Sequence, residues 1–244
     1  MIDPKILLVE KIKYGLEPII SDYELEQLKN DVPVQKIIGY IEMANVKIDL
    51  SQFVLIPRYE TEELIYHAID LIKKYQLKNI LDLGCGSGFI GIAIKKALKE
   101  RVNMTLSDID PNAIKQTKIN LELNQVDANL VCSDWFSNLD DHFDLIISNP
   151  PYLKWTEKNN MNDSVLKHEP YQALFANDQG LEPYKIIEQN LNYYLNDNGL
   201  VLLEINPLNQ DWFLKHKYQL IADINKKNRF AFKSKKLRNY SFKI

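Results

Sequence analysis

The chain has 244 residues, which leaves room for one large domain, or a medium domain with a small appendage, at roughly 150 residues per domain. Hydrophobic residues make up 45% and charged residues 26% of the sequence, which excludes disordered, collagen-like and coiled-coil classes. The formal net charge is −3, whereas dedicated nucleic-acid-binding proteins usually carry a basic excess. We therefore expect a folded globular protein with no direct nucleic-acid partner.

Targeting and metal-binding signals are weak. The first apolar run is too short for a signal peptide, and the sequence lacks the roughly eighteen consecutive apolar residues of a membrane span. We therefore expect a cytoplasmic protein with no membrane partner. Cys85 and Cys132 lie in apolar segments and are predicted to be small buried side chains. The histidines lack metal-ligand spacing, so no metal site is predicted; they are His67, His142, His168 and His216.

The amino-terminal quarter of the chain divides into three predicted parts. Residues 1–32 have apolar side chains at helical spacing, which predicts a short helical segment of two helices, too small to form a core alone. Residues 33–58 are predicted to be a linker and a β-hairpin, in which the apolar runs 46–48 and 53–56 are the strands. An amphipathic helix follows at 60–74, with acidic residues in its first turn.

Residues 59–244 are predicted to form the main domain. Short apolar runs alternate there with helical patterns, which indicates an α/β fold whose mostly parallel sheet is covered by helices on both faces. The predicted strands are 79–83, 104–107, 129–132, 143–148 and 200–205, with 218–224 and 229–233 as a terminal antiparallel pair. The predicted helices are 89–98, 111–123 and 183–195. The segment 153–179 is long for a connection and is typical of a functional loop.

A glycine-rich turn joins the strand at 79–83 to the next helix. Its sequence is Gly84, Cys85, Gly86, Ser87 and Gly88. Glycine lets the chain turn sharply and lets a ligand approach backbone amides at a helix N-terminus. Asp108 ends the second strand, where its carboxylate can accept hydrogen bonds from two ribose hydroxyls. The turn and Asp108 together predict a cofactor that contains a nucleoside.

Two further residues favour S-adenosylmethionine over a dinucleotide. The glycine spacing is tighter than the dinucleotide pattern, and Asp82 just before the turn would repel a pyrophosphate but can hold the ammonium of a methionine moiety. Trp135 follows the third strand, where adenine can lie against its indole ring. The alternatives are that Asp82 only ties down the turn and that Trp135 is an ordinary core residue.

A second motif, Asn149, Pro150, Pro151 and Tyr152, follows the fourth strand. In a sheet of this type the fourth strand lies beside the first, so this motif and the glycine turn are predicted to share one crevice. The NH2 group of an amide or aminopurine is a poor nucleophile because its lone pair is delocalised. If the Asn149 side-chain oxygen and the Pro150 carbonyl each accept one of its protons, that lone pair can be aimed at a methyl donor. Tyr152 is predicted to cover the planar group; the alternative is a loop merely stiffened by proline.

These motifs resemble those of the PrmC/HemK family, the glutamine-N5 methyltransferases of class 1 peptide chain release factors. The resemblance begins near Pro33 and includes Pro33-Val34-Gln35, Gly39, residues 55–58, Glu60-Thr61-Glu62, Asp82 to Gly88, Asp108, Asp134-Trp135-Phe136, residues 148–152, Glu169-Pro170, Ala173-Leu174, Gly180-Leu181, Glu204-Ile205 and Asn228-Arg229. It implies a class I S-adenosylmethionine-dependent methyltransferase fold, Rossmann-like, with a mostly parallel seven-stranded sheet and an antiparallel carboxyl-terminal strand.

The resemblance also implies roles for individual residues. Gly84 to Gly88, Asp108, Trp135 and Asn149 would contact S-adenosylmethionine, and Asn149 to Tyr152 would hold the glutamine of the GGQ motif of a release factor. The sequence departs from the family pattern at Tyr59 and Asn206. About thirty residues precede the hairpin, where the family usually has a bundle of several helices. We therefore expect release-factor docking to be either reduced or redistributed onto residues 153–179.

Three alternatives to this function remain at this point. A ribosomal-protein glutamine methyltransferase would use the same chemistry. An adenine-N6 methyltransferase of DNA or RNA would use the same acceptor motif on an extruded base, but it needs a basic groove, for which the only candidate is the run Lys226, Lys227, Lys233, Lys235, Lys236 and Arg238. A non-catalytic S-adenosylmethionine-binding subunit would not need the intact acceptor motif at residues 149–152.

Overall fold

The amino-terminal segment folds into three short helices. The computed structural model describes residues 2–236. In this part of the chain, the first helices are α1 Pro4–Lys13, α2 Asp22–Lys29 and α3 Val34–Ile38. Ser21 caps α2 through a reciprocal capping box with Glu24, which satisfies two otherwise unpaired backbone donors. Leu7, Leu28 and Val34 form a small buried cluster. The two helices predicted from the sequence are confirmed, and α3 is an addition.

A β-hairpin follows, formed by β1 Tyr40–Met43 and β2 Val46–Asp49. Ala44 and Asn45 connect the strands with φ angles of 46° and 59°, the left-handed geometry that suits a two-residue hairpin turn. The predicted hairpin is confirmed, but the assignment of 53–56 as one of its strands is wrong. Residues 53–56 pair with no strand in the described part of the chain, and the backbone N–H of Ile56 instead donates to Glu169 Oε2 at 3.1 Å.

The larger part of the chain is an α/β unit. Its helices are α4 Tyr59–Tyr75, α5 Phe89–Leu98, α6 Pro111–Asn124, α7 Asp163–His168, α8 Asn177–Gly180, α9 Glu182–Tyr194 and α10 Gln210–Lys215. Its strands are β3 Asn79–Leu83, β4 Asn103–Asp108, β5 Asn129–Cys132, β6 Phe143–Ser148, β7 Leu153–Lys154, β8 Phe175–Ala176, β9 Leu195–Glu204, β10 Gln219–Ala222 and β11 Asn228–Ser234. β7 and β8 form a small parallel pair outside the main sheet.

Seven strands form the main sheet, in the order β10-β11-β9-β6-β3-β4-β5. β9, β6, β3, β4 and β5 are parallel to one another, whereas β11 runs antiparallel to both β9 and β10. The predicted mostly parallel seven-stranded sheet with an antiparallel carboxyl-terminal strand is confirmed. Because β6 lies beside β3, the segments that follow these two strands meet at the same edge.

Side chains alternate between the two faces of the sheet, as the pleat requires. On β3, Ile80 belongs to the core formed with α4, α5 and the hairpin, whereas Leu81 and Leu83 belong to the core formed with α9 and α10. Asp82 therefore points toward the α5 face. Gly91 lets α5 approach that face closely, because a Cβ there would lie 2.6 Å from Leu106.

The hairpin is joined to α6 by buried amide side chains. Gln116, Asn120 and Asn124 follow one another at helical spacing along α6 and accept backbone N–H groups of residues 47–52. The Asn120 Nδ2 also donates to the carbonyl of Ser87 at 2.9 Å. The hairpin is thus connected through α6 to the glycine-rich turn.

The segment 153–179 is tied to the amino-terminal quarter of the chain. Glu169 is buried and forms an ion pair with the Arg58 Nη2 at 2.6 Å, in addition to its bond with Ile56. In α7, the Ser164 hydroxyl donates to the backbone carbonyl of Asp31 at 2.6 Å. The segment is therefore an ordered part of the fold, held by contacts more than a hundred residues away in the sequence.

Two surface predictions can be compared with the fold. Cys85 is buried as predicted, but the prediction for Cys132 is wrong: it is exposed, because it ends the edge strand β5.

In the basic run near the carboxyl terminus, Lys233 pairs with Glu188, and Lys236 pairs with Asp197 at 2.6 Å. Arg238 of that run lies outside the described residues. Within residues 2–236, none of the helices has both the length and the apolar character needed to cross a membrane.

Candidate active site

A cavity of about 380 Å³ opens at the carboxyl ends of β3, β4 and β6. Predicted site residues that line it are Gly84, Gly86, Asp108, Trp135, Asn149, Pro150 and Pro151. The structure therefore brings the glycine-rich turn and the Asn149 motif to one crevice. This is the position in which ligands bind to open α/β sheets.

The glycine-rich turn is held against the end of β4 by its own backbone. Gly84 and Gly86 have φ angles of 75° and 56°, which residues other than glycine rarely adopt. The backbone N–H of Gly84 donates to the carbonyl of Ser107 at 2.8 Å. The N–H of Gly86 donates to Asp108 Oδ2 at 2.8 Å, and that of Asp110 donates to Asp108 Oδ1 at 2.9 Å.

These bonds fix the Asp108 carboxylate at the rim of the cavity. Burial raises the pKa of Asp108, while its backbone hydrogen bonds oppose that rise. Each carboxylate oxygen accepts one of these hydrogen bonds and can accept two. The carboxylate therefore keeps acceptor capacity for a diol such as a ribose.

Asp82 lies beneath the turn rather than on the cavity wall. Its side chain is fully buried, and Oδ2 accepts the backbone N–H of Gly91 at 2.8 Å. Oδ1 has no hydrogen-bond partner among residues 2–236. Burial raises the pKa of Asp82 to about 7. This geometry suits a carboxylate that ties the turn to α5; its contact with a methionine ammonium stays a prediction.

Cys85, Ser87 and Gly88 do not line the cavity either. The Cys85 Sγ lies 3.4 Å from the Thr117 Oγ1, and the Ser87 carbonyl faces α6. Gly88 has a φ angle of 80°, and a Cβ there would lie 2.9 Å from side-chain atoms of both Ile92 and Thr117, so backbone geometry and packing both favour glycine. These three residues shape the turn from behind, and their contact with a cofactor stays a prediction.

Two features of the cavity wall fit a nucleoside-containing cofactor. The Ser107 hydroxyl is buried with no hydrogen-bond partner in the described part of the chain, and Ser107 lines the cavity. Buried polar groups are rarely left unpaired, so this hydroxyl marks a position for a polar ligand atom. Trp135 supplies an aromatic surface on the same wall. The residues present therefore fit a cofactor such as S-adenosylmethionine.

The Asn149 side chain is held by residues that the sequence analysis did not assign to the site. Its Nδ2 donates to the Thr61 Oγ1 at 3.1 Å, and the Thr61 hydroxyl donates to Glu204 Oε2 at 2.8 Å. Burial raises the pKa of Glu204 to about 7. Thr61 and Glu204 both occur in motifs that carry the family resemblance. Nothing in their sequence positions indicates that they meet at Asn149.

Tyr152 completes this network instead of lining the cavity. Its hydroxyl donates to Glu204 Oε1 at 3.2 Å, and burial raises the pKa of this phenol. The Tyr152 carbonyl packs against Gly180, where a Cβ would lie only 2.2 Å from the carbonyl oxygen. The predicted role of Tyr152 in covering the substrate amide stays a prediction.

Comparisons with known proteins identify the family. Residues 64–175 match the family model described as "Methyltransferase small domain". Over 182 residues the chain is 41% identical to the release factor glutamine methyltransferase of Lactococcus lactis, a match that covers 71% of this chain and 67% of that protein. The chain belongs to the PrmC/HemK family.

Two further comparisons describe this PrmC/HemK family member. It is 39% identical over 203 residues to the release factor glutamine methyltransferase of Fusobacterium nucleatum, which covers 78% of this chain and 57% of that protein. The chain thus spans 57 to 67% of the length of these two relatives. Among solved structures, the chain resembles the T. thermophilus 16S rRNA N2 G1207 methyltransferase in complex with AdoMet and guanosine, with a TM-score of 0.57. The sequence identity is 16%, and the match covers 81% of this chain and 50% of that protein. This match shows the shared fold.

Proposed function

We propose that this protein transfers a methyl group from S-adenosylmethionine to the side-chain amide nitrogen of a glutamine in the GGQ motif of a class 1 peptide chain release factor. The observation that carries the proposal is the meeting of the Gly84–Gly86 turn, Asp108 and Asn149 in one cavity. A cofactor site and an amide-orienting motif must share one site for such a transfer.

The residues on the side of the cavity formed by the glycine-rich turn would hold the cofactor. Gly84 and Gly86 present backbone that a ligand can approach, Asp108 offers acceptors to the ribose, and Trp135 offers its indole to the adenine. When bound, S-adenosylmethionine supplies an electrophilic methyl group on a sulfonium centre. Asp82 would act from beneath the turn, through its unpaired Oδ1, as an acceptor for the methionine ammonium or a bridging water.

The residues on the opposite side of the cavity, in the Asn149 motif, would orient the substrate. With the Asn149 Nδ2 bound to Thr61, the Asn149 Oδ1 is available to accept one amide proton of the glutamine, and the Pro150 carbonyl is available to accept the other. Because the lone pair of an amide nitrogen is perpendicular to the amide plane, holding both protons would fix the direction in which that lone pair faces the methyl donor. S-adenosylhomocysteine would leave as the methyl group is transferred. The alkylated nitrogen is strongly acidic and releases its proton to water, so this step requires no strong general base.

The relatives favour a release factor as substrate. Both are named release factor glutamine methyltransferases, and one is 41% identical to this chain. A ribosomal-protein glutamine would require the same chemistry and is a substrate to be compared in the same assay. An adenine substrate is disfavoured by the net charge of −3 and by the pairing of Lys233 and Lys236 with acidic residues. A binding subunit would have no use for an oriented Asn149.

The test uses the purified full chain with methyl-labelled S-adenosylmethionine and, in separate reactions, a class 1 release factor, a ribosomal-protein preparation and duplex DNA. We expect label in the release factor, and we expect its rate of incorporation to fall by about 10²–10³ when the Asn149→Ala variant is used. Label that enters only DNA or only ribosomal protein would refute the proposed substrate. Cofactor binding without turnover on any substrate would support a binding subunit instead.

A further inference from the structure

Asn149 belongs to a chain of hydrogen bonds that runs away from the cavity. The bonds run from the Asn149 Nδ2 to the Thr61 Oγ1 at 3.1 Å, from the Thr61 hydroxyl to Glu204 Oε2 at 2.8 Å, and from the Tyr152 hydroxyl to Glu204 Oε1 at 3.2 Å. Thr61 and Glu204 are 4% and 1% exposed, and neither lines the cavity. Because these two residues are buried, the hydrogen-bonding partners of their side chains within residues 2–236 are limited to this network.

The network has a direction. A carboxylate can only accept hydrogen bonds, so the single proton of the Thr61 hydroxyl is committed to Glu204 Oε2. The Thr61 oxygen can then only accept, which requires a donor from Asn149. The Nδ2 edge of the Asn149 amide satisfies this requirement, whereas the Oδ1 edge would bring two oxygen atoms together. The carboxylate thus selects one of the two flip states of the Asn149 amide.

The selected flip state is the one that an acceptor for a substrate amide needs. An asparagine side chain can turn its carbonyl or its NH2 to a given side with nearly the same shape. When the Asn149 NH2 group donates to Thr61, the Asn149 Oδ1 is free to accept a hydrogen bond from a ligand in the cavity. In the opposite state Asn149 would present a donor to the glutamine NH2, and two donors would face each other.

We infer that Thr61 and Glu204 are positioning residues that hold the Asn149 amide in its acceptor orientation before substrate binds. This inference rests on the proposed function for its effect on catalysis, but the orientation itself can be measured without turnover. Pre-setting the amide removes a reorientation step and prevents unproductive binding of the substrate glutamine.

The secondary structure explains why these distant residues can perform this task. Thr61 lies in the first turn of α4, where its backbone N–H donates to the Arg58 carbonyl at 3.1 Å. Glu204 is the last residue of β9, and the residue before it, Leu203, pairs with Ser148 on the neighbouring strand β6. Asn149 and Glu204 therefore leave two adjacent parallel strands at the same level, and α4 places Thr61 between them.

The critical variant is Thr61→Val, which removes the hydroxyl and keeps the shape of the side chain. We expect kcat for release-factor methylation to fall about tenfold, the order expected for a partly buried amide that loses its partner, with KM for the release factor changed much less. Thr61→Ser keeps the hydroxyl and should restore kcat to near the wild-type value. Thr105→Val, at a buried threonine of β4, is the matched control and should leave kcat unchanged. If Thr61→Val does not fold, Thr61→Ala removes the same hydroxyl without adding a new methyl group.

A double-mutant cycle separates positioning from general damage. If Thr61 acts through Asn149, Thr61→Val should have no further effect on kcat in an Asn149→Ala background. An equal loss in both backgrounds would overturn the inference, as would an unchanged kcat in Thr61→Val.

An orientation measurement without substrate distinguishes failure of this inference from failure of the proposed function. In protein with ¹⁵N-labelled asparagine, the side-chain signal of Asn149 is the one missing from the Asn149→Ala spectrum. We expect one of its protons to be shifted downfield and protected from exchange in wild type and Thr61→Ser, and to lose both properties in Thr61→Val. If these properties are insensitive to Thr61→Val, the positioning role is wrong even when wild-type enzyme methylates release factors. Sensitivity in an enzyme that does not methylate release factors would keep the positioning role and refute only the proposed substrate.

Discussion

The two sides of the cavity are built in different ways. On the cofactor side, Gly86 and Asp108 are 22 positions apart in the sequence, and the contacts are made mostly by backbone N–H groups of a strand–turn–helix unit. On the acceptor side, Asn149 depends on Thr61, 88 positions away, and Thr61 depends on Glu204, 143 positions away. A local backbone motif therefore shapes the cofactor site, while side chains from separate elements set the acceptor.

This difference predicts that the two sides can be damaged separately. Substitutions on the cofactor side should weaken binding of S-adenosylmethionine while leaving the reaction of bound substrates largely intact. Substitutions on the acceptor side should lower kcat far more than they weaken binding of the cofactor. The experiments below test this separation.

The largest effect is expected for Asn149→Ala. Loss of an acceptor used in the transition state should lower kcat by about 10²–10³, or roughly 2.7–4 kcal/mol, by analogy with the deletion of oxyanion-hole donors. Steady-state kinetics with a release factor measures the loss, and Asn190→Ala in α9 serves as the matched control. A near-normal kcat in Asn149→Ala would show that this residue is structural.

On the cofactor side, Asp108→Asn is expected to raise the Kd for S-adenosylmethionine by about 10- to 100-fold. The substitution removes the negative charge that accepts hydrogen bonds from Gly86, Asp110 and the predicted ribose hydroxyls, and hydrogen bonds to charged groups contribute roughly 1.5–3 kcal/mol each. Isothermal titration measures this change, with the exposed Asp141→Asn as control. If kcat at saturating cofactor fell as far as in Asn149→Ala, the two sides would not be separable.

A packing substitution tests how rigidly the acceptor loop is held. Gly180→Ala places a Cβ 2.2 Å from the Tyr152 carbonyl oxygen, so the loop must move; we expect kcat to fall about tenfold, consistent with a strain of 1–3 kcal/mol. Gly15→Ala has a similar positive φ angle of 67° but no atom within 4 Å of the new Cβ. Gly15→Ala therefore controls for backbone strain alone. Equal activities of the two variants would mean that the loop position does not matter for turnover.

The smallest effect is expected from the titration of Glu204. Burial raises the pKa of Glu204 to about 7. The hydrogen bonds from Thr61 and Tyr152 and the charge of Arg229 lower this pKa, whereas the negative charge of Glu60 raises it further. Above this pH Glu204 is an obligate acceptor and fixes the direction of the network. As the pH falls through about 7 it gains a proton and can donate, so kcat at saturating cofactor should decline a few-fold between pH 8 and pH 6.

The Glu204→Gln variant is the control for this pH dependence. Its amide oxygen can accept from Thr61 at every pH, so the decline on the acid side should be absent. If the acid-side decline persists unchanged in Glu204→Gln, another group is responsible for it.

The sequence was informative where structure is local. The strand at 79–83, the turn and the helix at 89–98 follow from apolar periodicity and glycine chemistry within about twenty residues, and their predicted bounds match β3 and α5. The acceptor motif at 149–152 could be placed beside the turn because strand order in such sheets is regular.

Other features could not be predicted because tertiary contacts determine them. Residues 53–56 have the apolar character of a strand, but a hydrogen bond from Ile56 to Glu169 holds them in place of a strand partner. Thr61 and Glu204 occur in recognisable motifs, yet their meeting at Asn149 depends on how α4 packs against the end of β9. Sequence spacing carries no information about that contact.

The most direct test of the account is to locate the methyl group in the product. A class 1 release factor is incubated with S-adenosylmethionine and either the wild-type protein or the Asn149→Ala variant, and the release factor is analysed by tandem mass spectrometry. We predict one added methyl group, on the side-chain amide of the GGQ glutamine, in the wild-type reaction and almost none with the variant. A methyl group on a different type of residue, or equal methylation by the Asn149→Ala variant, would contradict the account.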